Sequence, residues 1–258
     1  MLQMTNLNGK ASSAIRGFFI TGTDTGVGKT VVTAALAAKL RAEGYDVVAL
    51  KPFATGATTV EGRRVSLDTL FIEQAAESGE TVEALTPVLL DAPLAPAVAA
   101  RLEGRTVKLQ PVVDHCRCVA ARHDVVLVEG VGGLIVPLNE DVLVADFAAA
   151  LGLPVIVVAR PGVGTLNHTA LTVEYARSRG LHVAGIVISG YPESPGIAEK
   201  TNPSEIERLT GLRILATLPR VVGLDVEAMQ QGDWPRILAS IKTENFIAKA
   251  NLYWGKPF

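Results

Sequence analysis

Short apolar runs alternate with amphipathic stretches along most of the chain. Six runs predict strands, over residues 18–21, 47–50, 125–128, 155–159, 183–188 and 214–218. Most are β-branched and apolar at every position, the pattern of strands covered by helices on both sides. Helical patterns lie between them, over 30–42, 69–76, 95–102, 112–122, 144–151, 167–179 and 203–209. Asn202, Pro203 and Glu205 read as the start of the last helix: a cap, a first-turn proline and a carboxylate three residues after the cap. Gly44, Gly152, Gly180 and Gly211 each follow a helical pattern, where a left-handed residue ends the helix most easily. The alternation predicts a single α/β domain, a mostly parallel sheet with helices on both faces. That domain is expected over 17–241, with 1–16 a flexible extension and 242–258 a tail of no assigned role. In such sheets ligands bind at the carboxyl ends of the strands.

Length suits one large domain or two small ones, and composition is that of a globular protein. The chain has 258 residues, 48% hydrophobic and 19% charged, which is too apolar for a disordered protein. Net charge is −2 and no long basic run occurs, so a nucleic-acid surface is not expected as its main business. The longest apolar stretches, such as 154–159, are far shorter than a membrane span, and the N-terminus lacks a signal-peptide layout. A cytoplasmic location is therefore expected. The two cysteines, Cys116 and Cys118, stand too close for the usual zinc pairs. On a helix they would point roughly 200° apart, which disfavours a mutual disulfide, so both read as free thiols.

Candidate chemistry sits at the predicted carboxyl ends. The first strand runs into Gly22-Thr23-Asp24-Thr25-Gly26-Val27-Gly28-Lys29-Thr30, and a helical pattern follows. This is the layout of a phosphate-binding loop: glycines let backbone N–H groups curl inward, and the helix N-terminus adds partial positive charge. Lys29 is then placed for the β- and γ-phosphates, and the Thr30 hydroxyl for Mg²⁺. The strict pattern has glycine at position 23, where this chain has Thr23. Glu129 ends the strand 125–128, and Gly130, Gly132 and Gly133 follow it. From spacing alone Glu129 is either a strand-ending glutamate before a turn or, beside a P-loop, a carboxylate that can hold Mg²⁺ directly or through water. Lys51-Pro52 ends the second strand, with Thr55-Gly56 close behind. From spacing alone Lys51 is either an ordinary strand-end lysine or a cation placed to neutralise a moving phosphoryl group. Asp68 either caps the next helix or supplies a second carboxylate to the metal. Arg160-Pro161-Gly162-Val163-Gly164-Thr165-Leu166-Asn167-His168 is either a plain strand-to-helix loop or a helix-start anion site, with His168 read as a surface or packing residue.

Taken together, these motifs resemble the dethiobiotin synthetase family of P-loop ligases, in order from about Gly17 to Pro219. The resemblance rests on 22–30, Lys51-Pro52, Val128-Glu129-Gly130-Val131-Gly132-Gly133 and Gly164-Thr165-Leu166-Asn167-His168. It implies ATP-dependent closure of a ureido ring from 7,8-diaminopelargonic acid and CO₂ or bicarbonate, through a carbamate and its mixed anhydride with phosphate. It also implies Lys29 and Lys51 as catalytic residues and Thr30, Asp68 and Glu129 as Mg²⁺ ligands. The implied nucleotide contacts are Gly26, Val27, Gly28, Lys29, Thr30, Val31, Asp68, Glu129, Gly130, Val131, Gly132, Ser189, Pro219 and Arg220. Thr55 is implied as a substrate contact, and Gly164, Thr165 and Asn167 as substrate contacts across a homodimer. Two positions depart from the family pattern. Ala95-Pro96-Ala97 replaces Ser-Pro-His, and Ser189 stands where an asparagine often reads the base, so ATP is a default among nucleotides. Two further readings compete. A cobyrinate-type amide synthetase normally adds a glutaminase domain, for which this chain has no room. A partitioning or cell-division ATPase carries a second lysine five residues before the P-loop lysine, where this chain has Asp24.

Overall fold

The computed structural model describes residues 16–247. Of the expected extension 1–16 only Arg16 is described, and of the expected tail 242–258 only 242–247. The chain opens with β1 (Gly17–Gly22), α1 (Lys29–Ala42) and β2 (Val47–Leu50). Short elements follow: β3 (Phe53–Thr55), β4 (Thr58–Val60), β5 (Arg63–Val65), α2 (Leu67–Ala76), α3 (Val82–Leu85), β6 (Val88–Leu90) and α4 (Pro96–Leu102). The regular alternation then resumes with α5 (Leu109–Ala120), β7 (Val125–Glu129), α6 (Val144–Leu151), β8 (Val155–Ala159), α7 (Thr165–Ser178), β9 (Val183–Tyr191), α8 (Ile197–Thr210) and β10 (Ile214–Pro219). β11 (Leu224–Asp225), β12 (Gln230–Gln231) and α9 (Trp234–Ala239) come last.

All six expected strands join one sheet, in the order β10-β9-β8-β1-β7-β2, and every pairing is parallel. Because side chains alternate along each strand, the sheet feeds two cores. Phe19, Val48, Leu50, Val126, Val128, Val155 and Val157 face one side, under α4 to α7. Phe18, Ile20, Val47, Ala49, Val125, Leu127, Ile156 and Val158 face the other, under α1, α2 and α9. Lys51 and Glu129 continue the second series by the same count of two, so both emerge on the side of α1. Residues 243–247 also pack on this side: Phe246 is buried edge-on against Phe18, and Asn245 Nδ2 donates to the Leu215 carbonyl at 3.0 Å.

Gly44, Gly152, Gly180 and Gly211 all adopt positive φ after their helices, as their positions implied. The expected start at Asn202-Pro203 is overturned. α8 begins at Ile197, six residues before Pro203, and the proline lies inside it. Asn202 is no cap: it is buried, and its Nδ2 donates to the carbonyls of Pro161 and Gly162 at 2.7 and 3.2 Å. Pro203 cannot donate to the Glu199 carbonyl four residues earlier. The Tyr191 hydroxyl takes that place, donating to Glu199 O at 3.0 Å. The helix survives its proline because a side chain from β9 satisfies the freed carbonyl.

Tyr191→Phe should therefore cost about 1 kcal/mol in urea unfolding. In a Pro203→Ala background the cost should shrink, since Ala at 203 restores the N–H donor.

Candidate functional site

Parallel pairing places the carboxyl ends of β1, β2, β7 and β8 at one end of the sheet. Register aligns Ile20 with Glu129 and Leu50 with Val128. A cleft of about 710 Å³ opens there, lined by the P-loop, Lys51, Thr55, Asp68 and Glu129. Gly28 is left-handed at φ 93°, and a Cβ at this position would run into Ser189 Oγ. Only glycine lets the loop turn there into α1.

Four charged groups meet at the cleft floor. Lys29 is buried, and its Nζ donates to the Asp24 carbonyl at 3.0 Å. Burial lowers its pKa below the usual lysine value, with Glu129 pulling the other way. Lys51 Nζ donates to Glu129 Oε1 at 2.6 Å and also pairs with Asp68. Burial alone would lower the Lys51 pKa, but Glu129 and Asp68 raise it above the usual lysine range. Burial opposes the charge of Asp68, yet the neighbouring ammonium holds its carboxyl below the usual carboxylate range. Geometry bears on the plainer reading of each residue, the exposed strand-end lysine and the helix cap. Lys51 is 7% exposed and points into the cleft rather than into solvent. Asp68 does not cap α2: Ser66 does, its Oγ accepting from the Thr69 amide at 3.3 Å.

Thr30 Oγ1 donates to Glu129 Oε1 at 3.0 Å. Glu129 Oε2 is buried with no hydrogen-bond partner among the described residues. An orphaned carboxylate oxygen beside a hydroxyl and a second carboxylate is the donor set a hard cation takes, so these residues fit Mg²⁺. They do not complete its shell, since no cluster of three or more His, Cys, Asp or Glu suited to a metal occurs among the described residues. Phosphate oxygens and water would have to supply the remainder.

Other expected contacts lie elsewhere. Ser189 is buried against Gly28 rather than lining the cleft. Pro219 ends the edge strand β10 and Arg220 follows it, its amide donating to the Tyr191 carbonyl at 2.7 Å. Gly164, Thr165 and Asn167 start α7 outside this cleft: Gly164 caps the helix at φ 90°, Thr165 is buried and Asn167 is exposed. Ala97 lies off the cleft, whereas Ala95 and Pro96 line it. Cys116 and Cys118 are free, and burial pushes the Cys116 thiol up to about 12. Five cleft residues carried no motif: Pro93, Leu94 and Val136, and Val226 and Glu227 on the turn between β11 and β12. The last two sit in a polar stretch whose pairing only the folded chain shows.

The family described as an AAA domain matches residues 16–228. An ATP-dependent dethiobiotin synthetase of Anaeromyxobacter sp. (strain Fw109-5) is 53% identical over 80% of this chain and 91% of its own length. That of Bacillus subtilis (strain 168) is 46% identical over 83% of this chain and 92% of its own. The chain belongs to the dethiobiotin synthetase family. Solved structures of other proteins show the same architecture. The septum site-determining protein MinD of Pyrococcus horikoshii is 17% identical with a TM-score of 0.51, covering 92% of this chain and 93% of that one. McdA of Cyanthece is 12% identical with a TM-score of 0.55, covering 90% of this chain and 99% of that one. At these identities they share the architecture alone. No described helix is long and apolar enough to cross a membrane.

Lys51→Met would leave Glu129 and Asp68 facing each other without their cation. Breaking such a buried pair should cost about 3–5 kcal/mol at pH 7 in urea unfolding. The depressed Asp68 pKa contributes stability above the unfolded carboxyl value and loses it as pH falls through the folded one. The penalty should accordingly be smaller at pH 3, below the unfolded carboxyl value, than at pH 7.

Proposed function

We propose that this chain is an ATP-dependent dethiobiotin synthetase of biotin biosynthesis, closing the ureido ring of dethiobiotin from 7,8-diaminopelargonic acid and CO₂ or bicarbonate. The observation that carries this reading is the convergence of Lys29, Thr30, Lys51, Asp68 and Glu129 in one cleft at the P-loop. In this reading one substrate amine captures CO₂ as a carbamate. The carbamate oxygen attacks the γ-phosphorus of ATP and ADP leaves. The second amine then attacks the carbamoyl carbon of the mixed anhydride, expelling phosphate. No covalent protein nucleophile enters.

The chain's own groups meet the electrostatic demand of each stage. Backbone N–H groups at the start of α1 and the Lys29 ammonium hold the triphosphate. Lys51 faces the charge that grows as two anions are brought together, and its raised pKa keeps it protonated at neutral pH. Mg²⁺, held by Thr30, Asp68 and Glu129, would neutralise phosphate oxygens. Pro93, Leu94, Ala95, Val131 and Val136 give the cleft an apolar wall suited to the aliphatic chain of the diamine. Gly164, Thr165 and Asn167 would receive the substrate carboxylate of a partner subunit, because they lie off their own cleft at the amino end of a 14-residue helix. A cytoplasmic homodimer is the assembly this implies.

A coupled assay of phosphate release with ATP and bicarbonate tests the reading. Adding the diamine should raise release at least about tenfold, and release indifferent to the diamine would overturn the assignment. Lys51→Gln should lower kcat about a hundredfold or more at saturating diamine and bicarbonate, with little change in ATP affinity. Glu129→Gln should shift the Mg²⁺ activation curve to higher concentration, and superimposable curves would remove Glu129 from the metal site.

A further inference from the structure

Arg160 follows the last residue of β8, in the loop whose anion-binding role the motif left open. Its Nη2 donates to Asp24 Oδ2 at 2.7 Å. The other oxygen of that carboxylate, Oδ1, accepts from the Thr25 amide at 2.7 Å. The Asp24 carbonyl in turn accepts from Lys29 Nζ at 3.0 Å. One residue earlier, the Thr23 amide donates to the Val158 carbonyl of β8 at 2.9 Å. The first turn of the P-loop is thus tied twice, by the Thr23 amide to β8 and by the Asp24 side chain to the residue after β8, and Asp24 carries the oxygen on which the P-loop lysine rests. The packing there is tight. A Cβ at Gly22 would stand 2.9 Å from the Asp24 carbonyl oxygen and 3.2 Å from Lys29 Cδ.

The Arg160 and Asp24 side chains are 43% and 55% exposed, and an ion pair that open adds little to folding stability. Its consequence is local and electrostatic. Asp24 is an anion in the loop that must receive a triphosphate, and the Thr25 amide and Arg160 hold its carboxyl below the usual range. Without a partner cation that charge would repel the ligand.

We propose that Arg160 is a positioning residue for the nucleotide. Acting through Asp24, it holds the first turn of the P-loop and Lys29 in place and cancels a charge that would oppose the triphosphate. The inference rests on the ATP-dependent reading above, and the test separates the two. ATP affinity is measured by calorimetry without diamine, beside kcat, KM for each substrate and melting temperature, for Arg160→Ala, Arg160→Lys, Asp24→Asn and the Arg160→Ala/Asp24→Asn double variant.

Arg160→Ala should weaken ATP binding and raise KM for ATP about tenfold, with kcat, KM for the diamine and melting temperature nearly unchanged. Arg160→Lys should recover most of the affinity. Asp24→Asn should recover part of it in the Arg160→Ala background, because it removes the uncancelled charge. Unchanged ATP affinity in Arg160→Ala overturns the proposal. So does a loss matched by a fall in melting temperature, or a double variant whose losses simply add. Wild-type protein that binds ATP yet shows no diamine-dependent phosphate release would overturn the ligase reading instead, while the calorimetric arm still decides the role of Arg160.

Discussion

The Lys51 ammonium bridges two carboxylates, Glu129 and Asp68, that would otherwise face each other at the end of the sheet. Glu129 is a fully buried carboxylate in the strand next to the P-loop strand, a position that is unfavourable without a cation. With Lys51 in place, the cleft floor holds two ammonium groups against two carboxylates and is balanced before any ligand arrives. The same arrangement leaves Glu129 Oε2 unpartnered. The oxygen that is partnered, Oε1, carries both the Lys51 and the Thr30 contacts.

That arrangement is a product of strand periodicity. Val47, Ala49 and Lys51 share one face of the sheet, as do Val125, Leu127 and Glu129, and both series face α1. Apolar members of each series build the core under α1 and α2, and the polar member emerges one step beyond it. The two helices that bury these strands also deliver the polar partners: α1 brings Thr30 to Glu129, and α2 brings Asp68 to Lys51. Packing and chemistry therefore use the same face, which keeps Lys29, Asp68 and Glu129 on rigid elements and Lys51 directly after one.

The six central strands were legible because buried parallel strands are continuous apolar runs, and their carboxyl ends marked Lys29, Thr30, Lys51 and Glu129. The helix α2 was legible too, but the strands β3 to β6 and the one-turn helix α3 were not, since each is only a few residues long and the strands depend on pairings such as β3 with β6 across the intervening helices. The start of α8 was misread for a definite reason. Pro203 has the local signature of a first turn, and only the long-range bond from Tyr191 shows how the helix passes through it. Val226 and Glu227 reach the cleft through a two-stranded ribbon in a stretch without apolar periodicity. The Arg160–Asp24 pair spans 136 residues, and neither partner belongs to a spacing rule that links them.

The sheet order also sets when the site can exist. β1 is the first strand made, yet its hydrogen-bonded neighbours are β7 and β8, which end at Glu129 and Ala159. Until the chain has been synthesised that far, the P-loop strand has an open edge on both sides and no carboxylate partner for Thr30. Parallel pairing between such distant segments carries a large loop-closure cost and belongs to the slow part of folding. The ligand site is consequently finished only after most of the chain has emerged, so nucleotide can stabilise the assembled domain but has nothing to bind in its first half.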